Sequence, residues 1–249
     1  MSRELRDLLA AAGRDAWATL LPTECSGCGA VDRALCASCR LALAPGVHAV
    51  ARDDVVIWTA LTYEGPARHV IAAYKDGGRT DAAAALAAPL RAAILAALAA
   101  VPNPTVPNPT VPNPTVPNPT VPNPTVPNPT VRSSDIQLVT IPSSRLAWRV
   151  RGYHPVDALL HRAGLHPSPA LMQRTEALDQ VGLGRAARAA NKSNSLVARH
   201  SLDGVPVILV DDIVTTGATL LEARRAVFAA GGIVVGLATL AETRRLLHR

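Results

Sequence analysis

Residues 101–130 are six consecutive copies of Val-Pro-Asn-Pro-Thr, and this repeat restricts the fold of the 249-residue chain more than any other feature. Proline fixes φ and lacks an N–H donor, so neither a helix nor a central strand can include the repeat. The residue before each proline is driven to extended geometry as well. We therefore predict a disordered, polyproline-like loop over residues 101–131. It is either a spacer or docking segment, or a slippage-expanded insertion without a role.

The rest of the chain alternates helices with apolar strands. We predict helices at residues 3–20, 66–74, 81–100, 156–163 and 220–230, and strands at 55–62, 136–141, 170–172, 205–210 and 233–240. This alternation predicts an α/β fold with a mostly parallel sheet that is covered by helices on both faces. Ligands bind such sheets beyond the carboxyl ends of the strands. We expect a small N-terminal module over residues 1–48 and a main domain over 49–249, which the repeat loop interrupts.

Composition and charge restrict the partners without naming one. The net charge of +6 indicates anionic partners, whereas the aromatic content of 3% argues against a single-strand nucleic-acid binder built on stacking platforms. The apolar stretch at 82–101 is interrupted by Pro89 and Arg91, so we predict a soluble helix rather than a membrane span. The N-terminus carries acidic residues and indicates an amphipathic helix rather than a signal peptide. We therefore expect a cytoplasmic protein without membrane insertion.

Four cysteines lie within fifteen residues and form two Cys-x-x-Cys pairs: Cys25, Cys28, Cys36 and Cys39. Four thiolates at this spacing can close a tetrahedron around Zn²⁺ without an open position, which indicates a structural rather than a catalytic site. A segment with so little core would depend on the metal for its folding. Two redox dithiols are the alternative. A zinc ribbon that contacts DNA is a further one, although few cations lie near the cysteines.

The segment from Val207 to Leu220 combines an apolar strand, two adjacent carboxylates and a hydroxyl-rich loop that leads into a helix. Backbone N–H groups at a helix start, beside threonine hydroxyls, make a cradle for a phosphate. The candidates for this cradle are Thr215, Thr216, Gly217, Ala218 and Thr219. Asp211 and Asp212 would repel a phosphate but can accept hydrogen bonds from vicinal hydroxyls or face a hydrated Mg²⁺. A phosphate beside a diol is a 5′-phosphoribosyl group.

This segment resembles the loop that binds phosphoribosyl pyrophosphate (PRPP) in type I phosphoribosyltransferases: an apolar strand, two acids and Thr-Thr-Gly-x-Thr. Three further segments resemble the ComF family of competence-associated, phosphoribosyltransferase-like proteins. They are the four-cysteine module, the Pro-containing strand end with Arg-x-Arg-Gly-Tyr at 141–153, and the Arg/Thr, Gln, Arg and Asn pattern at 174–191. The pair His154-Pro155 departs from the family pattern, and the repeat is not a family feature.

The resemblance implies a type I phosphoribosyltransferase-like fold, PRPP as substrate, Mg²⁺ bound with it, and Asp211 and Asp212 as the catalytic acids. It further implies that Ser143, Ser144 and Arg145 contact pyrophosphate. Arg174 and Arg188 would belong to a mobile loop that closes over PRPP. Two expectations come from the residues themselves. Lys75 is either a further phosphate contact or an exposed turn lysine, and Arg149 and Arg151 would share a face on an extended segment.

Three functions remain open at this point. The first is a PRPP-dependent phosphoribosyltransferase of unknown acceptor that displaces pyrophosphate with the help of Mg²⁺. The second is a non-catalytic module of the same fold that supports DNA uptake or processing in competence, with DNA or the competence machinery as its partner. The third is a regulator that senses PRPP or a nucleotide. No side-chain set in the sequence identifies an acceptor, and none indicates an oligomeric state.

Overall fold

The computed structural model describes residues 24–31, 33–101, 135–174 and 194–244. The predicted helix at 3–20, residues 102–131 of the predicted repeat loop, and Arg188 lie outside the described residues.

Helices and strands alternate along the described part of the chain, as predicted. The helices are α1 (Ala37–Ala42), α2 (Gly65–Asp76), α3 (Ala83–Ala99), α4 (Arg145–Arg151), α5 (Pro155–Arg162) and α6 (Ala218–Ala229). The strands are β1 (His48–Arg52), β2 (Val55–Thr62), β3 (Gln137–Thr140), β4 (Pro167–Ser168), β5 (Leu171–Gln173), β6 (Leu196–Ala198), β7 (Pro206–Val214) and β8 (Ile233–Glu242).

Six of these strands form one sheet in the order β1-β2-β8-β7-β3-β4. Only the β1–β2 hairpin is antiparallel among these pairs, which confirms the predicted mostly parallel sheet. The strand predicted at 170–172 exists as β5, but it lies outside this sheet and pairs antiparallel with β6. Its few residues carry no signal that distinguishes a small separate ribbon from a strand of the main sheet.

Strand β7 is apolar on both of its faces, and each face is covered by a hydrophobic core. Ile208 and Val210 join a core with α2, α3 and α5, whereas Val207 and Leu209 join a second core with α6 and the β5–β6 ribbon. A strand that is buried on both faces has a continuous apolar run rather than an alternating one, and this is why its position was evident from the sequence.

Helix α3 and the 3₁₀ turn before it, Thr80–Ala82, form the one described span that is long and apolar enough to cross a membrane. In the structure this helix packs on β8, β2 and α5. Gly236 permits the close approach, since a Cβ there would lie 3.4 Å from the Cβ of Ala97 and 3.3 Å from Ile208. The apolar surface of α3 is therefore used in the core of the domain.

The four-cysteine segment contacts α2 and the turn after it. The Arg79 guanidinium donates to the carbonyls of Glu24 and Ala34, at 3.0 and 3.3 Å. The Nδ1 atom of His69, on α2, lies 3.0 Å from the carbonyl oxygen of Gly27. These contacts join backbone carbonyls of the segment to charged or polar side chains of the domain.

Candidate functional site

Strand β7 carries the two predicted catalytic carboxylates within its last paired residues. Asp211 and Val214 pair with Thr239 and Glu242 of β8, so the strand continues beyond residue 210, where the prediction ended it. Pairing with β8 keeps this polar end of β7 extended although its sequence is not apolar. Both carboxylates lie at the carboxyl end of a central parallel strand, which is where ligands bind in such sheets.

The two carboxylates differ in their surroundings. Asp211 is half-buried in the cavity wall, and its partial loss of solvent raises its pKa to about 7, with the negative charge of Asp212 adding to the effect. The backbone N–H of Asp212, which donates to Asp211 Oδ1 at 2.9 Å, and the Lys75 ammonium oppose the rise. Near neutral pH, Asp211 therefore holds a proton in about half of the molecules, which a bound cation would displace.

Residues 215–219, called the phosphate loop from here on, connect β7 to the first turn of α6. Gly217 has a φ of 88°, a conformation that favours glycine, and it caps the helix. Thr215, Thr216 and Thr219 are exposed, so the loop faces solvent as an anion cradle must. The Thr216 hydroxyl accepts a hydrogen bond from the Ala218 N–H at 3.3 Å. The loop thus leads from β7 into a helix, as the sequence predicts. Its binding of a phosphate stays a prediction.

The loop predicted to contact pyrophosphate begins a helix rather than an extended segment. Ser144 caps α4, its Oγ accepting from the Ala147 N–H at 3.1 Å, and Gly152 ends the helix with a φ of 74°. Arg145 begins this helix. Residues two apart on a helix point about 200° apart, so the expectation that Arg149 and Arg151 share a face is wrong. Arg149 is exposed, whereas Arg151 pairs with Asp76 at 2.7 Å.

Lys75 belongs to the same site, and its interpretation as an exposed turn lysine is wrong. Its ammonium lies 2.6 Å from Asp212 Oδ2, and only 23% of its side chain is exposed. Tyr74 donates its hydroxyl to the Pro155 carbonyl at 2.9 Å, and Tyr153 donates to the Tyr74 carbonyl. The two rings meet edge to face, 5.7 Å apart. These contacts fix the end of α2 and hold Lys75 over the carboxylates.

A cavity of about 180 Å³ joins these elements. It is lined by Lys75, Ile141, Pro142, Ser143, Ser144, Ala147, Arg151, His154, Pro155, Val156, Asp157, Asp211, Asp212 and Thr219. We call Lys75, Ser143, Ser144 and Arg151 the opposite wall, because they face the carboxylates from other elements. The cavity is smaller than the roughly 300–1,000 Å³ of most small-molecule sites, so a ligand of PRPP size would extend from it along the open phosphate loop.

A larger cleft of about 550 Å³ lies beside α2 and the end of β8. Its charged lining residues already have partners: Glu242 contacts Arg52 and His48, and Glu64 faces Arg244. The smaller cavity holds the predicted carboxylates and the end of the phosphate loop, so we place the candidate site there rather than in the larger cleft.

Arg174 lies close to this site but outside its lining. It is exposed at the end of β5, where its backbone N–H donates to the Ser195 carbonyl at 2.8 Å. The adjacent Gln173 donates its amide to the Pro142 carbonyl at 3.4 Å, so the β5–β6 ribbon approaches the opposite wall. Whether Arg174 contacts a diphosphate therefore stays a prediction.

The four cysteines form a compact cluster whose Sγ atoms all lie within 4.8 Å of one another. Cys28 Sγ and Cys36 Sγ are 3.7 Å apart, close to the edge of about 3.8 Å of a tetrahedron with Zn–S bonds of about 2.3 Å. Hydrogen bonds from the Ser38 hydroxyl and the Cys39 N–H lower the pKa of Cys36 to about 6. The cluster could therefore hold a metal ion such as zinc.

One contact of the phosphate loop has no trace in the sequence. Arg52, at the end of β1, donates from Nε to the Thr215 carbonyl at 2.9 Å, across 163 positions of the chain. The sequence indicated Lys75 as a candidate phosphate contact, but it gave no sign of the pairing with Asp212. A lone arginine or lysine in a polar turn indicates solvent exposure unless the fold that encloses it is known.

Comparison with known proteins supports the fold. Residues 163–247, about a third of the chain, match the family described as phosphoribosyl transferase domain. The match includes β7, the two carboxylates, the phosphate loop, α6 and β8. No curated protein matches the chain. The mostly parallel sheet with flanking helices, together with this match, shows a phosphoribosyltransferase-type fold, and a four-cysteine cluster lies near the N-terminus.

Proposed function

We propose that this protein binds PRPP and transfers its phosphoribosyl group to an acceptor that is still to be identified. One observation carries the proposal: Asp211, Asp212 and the start of α6 meet the opposite wall around a single cavity. In this proposal the phosphate loop, the two carboxylates and the cations of the opposite wall would meet the 5′-phosphate, the ribose and the diphosphate of PRPP in that order.

In this proposal, backbone N–H groups and threonine hydroxyls of the phosphate loop bind the 5′-phosphate. Asp211 and Asp212 accept hydrogen bonds from the ribose hydroxyls, and their negative charge stabilises the cationic ribose as the bond between C1 and the pyrophosphate oxygen breaks. The acceptor's nucleophilic atom then bonds to C1, and pyrophosphate leaves with the bond's electron pair. Bound Mg²⁺, held beside the carboxylates, would supply neutralising charge to the diphosphate.

The opposite wall binds the diphosphate in this scheme. The ammonium of Lys75 neutralises Asp212 in the free protein, and a diphosphate would compete with Asp212 for it. The Ser144 hydroxyl accepts from a backbone N–H and keeps its own hydrogen available to donate to a phosphate oxygen. Arg151 adds a second cation at the far end of the wall. Together these groups stabilise the leaving pyrophosphate.

Calorimetric titration with PRPP and Mg²⁺ tests the proposal. We expect the native protein to bind and the double variant Asp211→Ala/Asp212→Ala to lose binding. Asp54→Ala is the matched control, since Asp54 is an exposed carboxylate whose partner is Arg224 on the outside of α6. An absence of binding in the folded, zinc-loaded protein would refute the proposal. If PRPP binds, a screen for acceptors whose addition releases pyrophosphate from PRPP would identify the transferase reaction.

We also infer that the four-cysteine cluster holds a structural Zn²⁺. Four sulfur ligands leave no open position, and the segment buries few apolar side chains, so its folding would depend on the ion. Metal analysis should find one zinc per chain, and a chelator should lower Tm. Cys28→Ser should reduce the zinc content, whereas Ser26→Ala, in the same turn, should not. A chain free of metal with an unchanged Tm would favour the alternative of two redox dithiols.

The ComF resemblance carries the second candidate function, support of DNA handling in competence. Helix α4 exposes Trp148 and Arg149, and an exposed cation can contact a nucleic-acid phosphate. In either case we expect a cytoplasmic protein. The DNA function predicts an affinity that falls steeply with salt. Failure to bind single- or double-stranded DNA at low salt would exclude it.

A further inference from the structure

We propose that Arg52, held in place by Glu242, is the positioning residue of the phosphate loop and aligns its N–H groups on the 5′-phosphate of PRPP. The inference rests on the proposed function but concerns residues of β1 and β8 that lie outside the binding segment itself.

The Arg52 guanidinium is fixed by hydrogen bonds on every nitrogen. Nε donates to the Thr215 carbonyl at 2.9 Å, and Nη1 donates to the Ala51 carbonyl at 3.0 Å. Nη2 donates to Glu242 Oε2 at 2.8 Å and to the Thr243 carbonyl at 3.0 Å. Only 7% of the side chain is exposed, so the planar group has a single orientation. Arg52 is thus a rigid support beneath the loop.

The bond to Thr215 determines where the next N–H points. In a trans peptide the carbonyl and the following N–H point in opposite directions, and the described chain contains no cis peptide. Because the Thr215 carbonyl faces Arg52, the N–H of Thr216 points away from the guanidinium. The guanidinium therefore sets the direction of a backbone donor that it does not touch.

A second contact sets the depth of the loop. A Cβ on Gly217 would lie 2.9 Å from the Cβ of Arg52, so the backbone of the loop rests directly on the arginine stem. The glycine is required both for its positive φ and for this close approach. Loop and arginine are packed as one unit, and a shift of either would move the N–H groups at the start of α6.

Glu242 completes the support because it lies on β8, the strand that pairs with the end of β7. It pairs with Val214, the last residue before the phosphate loop, and its carboxylate holds Arg52. The other oxygen of the carboxylate, Oε1, lies 3.2 Å from His48 Nε2 on β1. A buried arginine–carboxylate pair is weak evidence for stability, but it does fix a geometry.

Arg52 shares no described contact with the opposite wall, where Lys75 bonds to Asp212 and Arg151 to Asp76. This separation distinguishes positioning from a general structural role. Loss of Arg52 should disturb the phosphate end of bound PRPP and leave the diphosphate end unchanged. A merely unstable protein would weaken both ends together.

The test compares PRPP binding with Mg²⁺ in the native full-length protein, Arg52→Lys, Arg52→Met, the double variant Arg52→Met/Glu242→Gln, and the control Arg224→Met. Arg52→Met alone leaves the Glu242 carboxylate buried without its cation. The double variant removes that charge as well, so the experiment stays informative if Arg52→Met does not fold. We expect Kd to rise at least tenfold in both methionine variants at Arg52, less in Arg52→Lys, and not at all in Arg224→Met. At saturation, the ³¹P resonance of the 5′-phosphate should move while both diphosphate resonances stay in place.

The outcomes separate the two proposals. A native protein that does not bind PRPP overturns the proposed function itself. A native protein that binds, with the Arg52→Met/Glu242→Gln variant within twofold of it and an unmoved 5′-phosphate resonance, overturns the role of Arg52. A displacement of all three phosphorus resonances together would also overturn it, because Arg52 would then act on the whole site through the fold.

Discussion

The two sides of the candidate site are built in opposite ways. The carboxylates and the phosphate loop come from one uninterrupted segment, residues 211–219, at the end of one strand and the start of one helix. The opposite wall is assembled from the end of α2 and from α4 with the residues before it, which are about seventy positions apart. One side therefore depends on local backbone geometry, and the other depends on tertiary packing.

This difference predicts how substitutions on each side of the site change PRPP binding. The phosphate loop binds through backbone N–H groups, so it is sensitive to anything that changes φ or the contact with Arg52. The opposite wall binds through side chains, so single truncations there should remove one group and leave the rest in place. The predictions below test this contrast, from the largest expected effect to the smallest.

Gly217→Ala should cause the largest loss. Alanine at a φ of 88° costs about 1–2 kcal/mol, and its Cβ, 2.9 Å from Arg52 Cβ, adds about 1–3 kcal/mol of overpacking. We expect a lower Tm and a Kd for PRPP that is raised by about two orders of magnitude, since the loop must move. Thermal unfolding and calorimetry measure the two effects separately.

Gly204→Ala is the matched control for this variant. Gly204 has a φ of 67°, is exposed, and would have nothing within 4 Å of a new Cβ. The variant Gly204→Ala should therefore lose only the stability that alanine costs at a positive φ, and its affinity for PRPP should not change. Equal losses of stability in the two variants would mean that the phosphate loop does not rest on Arg52.

Lys75→Met should have the next largest effect, because it removes a cation of the opposite wall that also pairs with Asp212. The variant removes the cation that lies 2.6 Å from Asp212 but keeps the length of the side chain. A charged hydrogen bond contributes about 1.5–3 kcal/mol, so the Kd for PRPP should rise about tenfold or more. Lys75→Arg should recover part of the loss. Unchanged affinity in Lys75→Met would place the diphosphate elsewhere.

The same contrast explains how much was predictable. The apolar run at 205–210 and the acidic and threonine-rich residues after it indicated a strand, a cradle and a helix, because each of these depends on neighbouring residues. The sheet type followed from the alternation of strands and helices. The sequence predicted the end of β7 at residue 210, before its true end at Val214. Residues from Asp211 to Val214 stay extended because they pair with β8, and polar residues give no sequence signal for such a tertiary contact.

The resemblance indicated Ser143 and Ser144 of the opposite wall, but the packing that assembles this wall and the support from Arg52 were beyond such reasoning. The role of Lys75 depends on Tyr74 and Tyr153, which tie α2 to the start of α5. Helix α4 was interpreted as extended because its seven residues are too few to show a helical period, although Ser144 and Gly152 are typical of helix caps. Partners that are distant in sequence become visible only once the sheet order is known.

The affinity for Mg²⁺ and PRPP should depend on pH through Asp211. Its pKa of about 7 means that the free protein carries a proton there at lower pH, which cation binding must release. Affinity should therefore rise with pH up to about 7, by at most about tenfold per unit, and then level off. Asp211→Asn should reduce this dependence to the part that comes from the phosphate groups of PRPP, which titrate at about pH 6, whereas Asp54→Asn should keep all of it. A flat profile in the native protein would contradict the protonation of Asp211.

The stability of the free protein should change in the opposite sense. The folded state holds the Asp211 proton more tightly than the unfolded chain does, because the pKa is raised from 3.8 to about 7 on folding. The folded state thus binds more protons between these values, and this residue makes unfolding easier as pH rises through that window. Denaturant titrations of the native protein and Asp211→Asn should diverge with increasing pH up to about 7.

The smallest effect is expected for Ser144→Ala, which removes both the cap of α4 and the hydroxyl that we propose as a donor to the diphosphate. Loss of an N-cap hydroxyl costs about 1 kcal/mol of helix stability. Because α4 contributes Ala147 and Arg151 to the cavity lining, fraying of its first turn and loss of the hydroxyl should together raise the Kd for PRPP by less than about fivefold. Ser201→Ala is the control, since Ser201 Oγ also accepts a backbone N–H, from Asp203, in an exposed turn away from the site. If Ser144→Ala matched Gly217→Ala, the side-chain wall would be as dependent on backbone geometry as the phosphate loop, and the contrast between the two sides would fail.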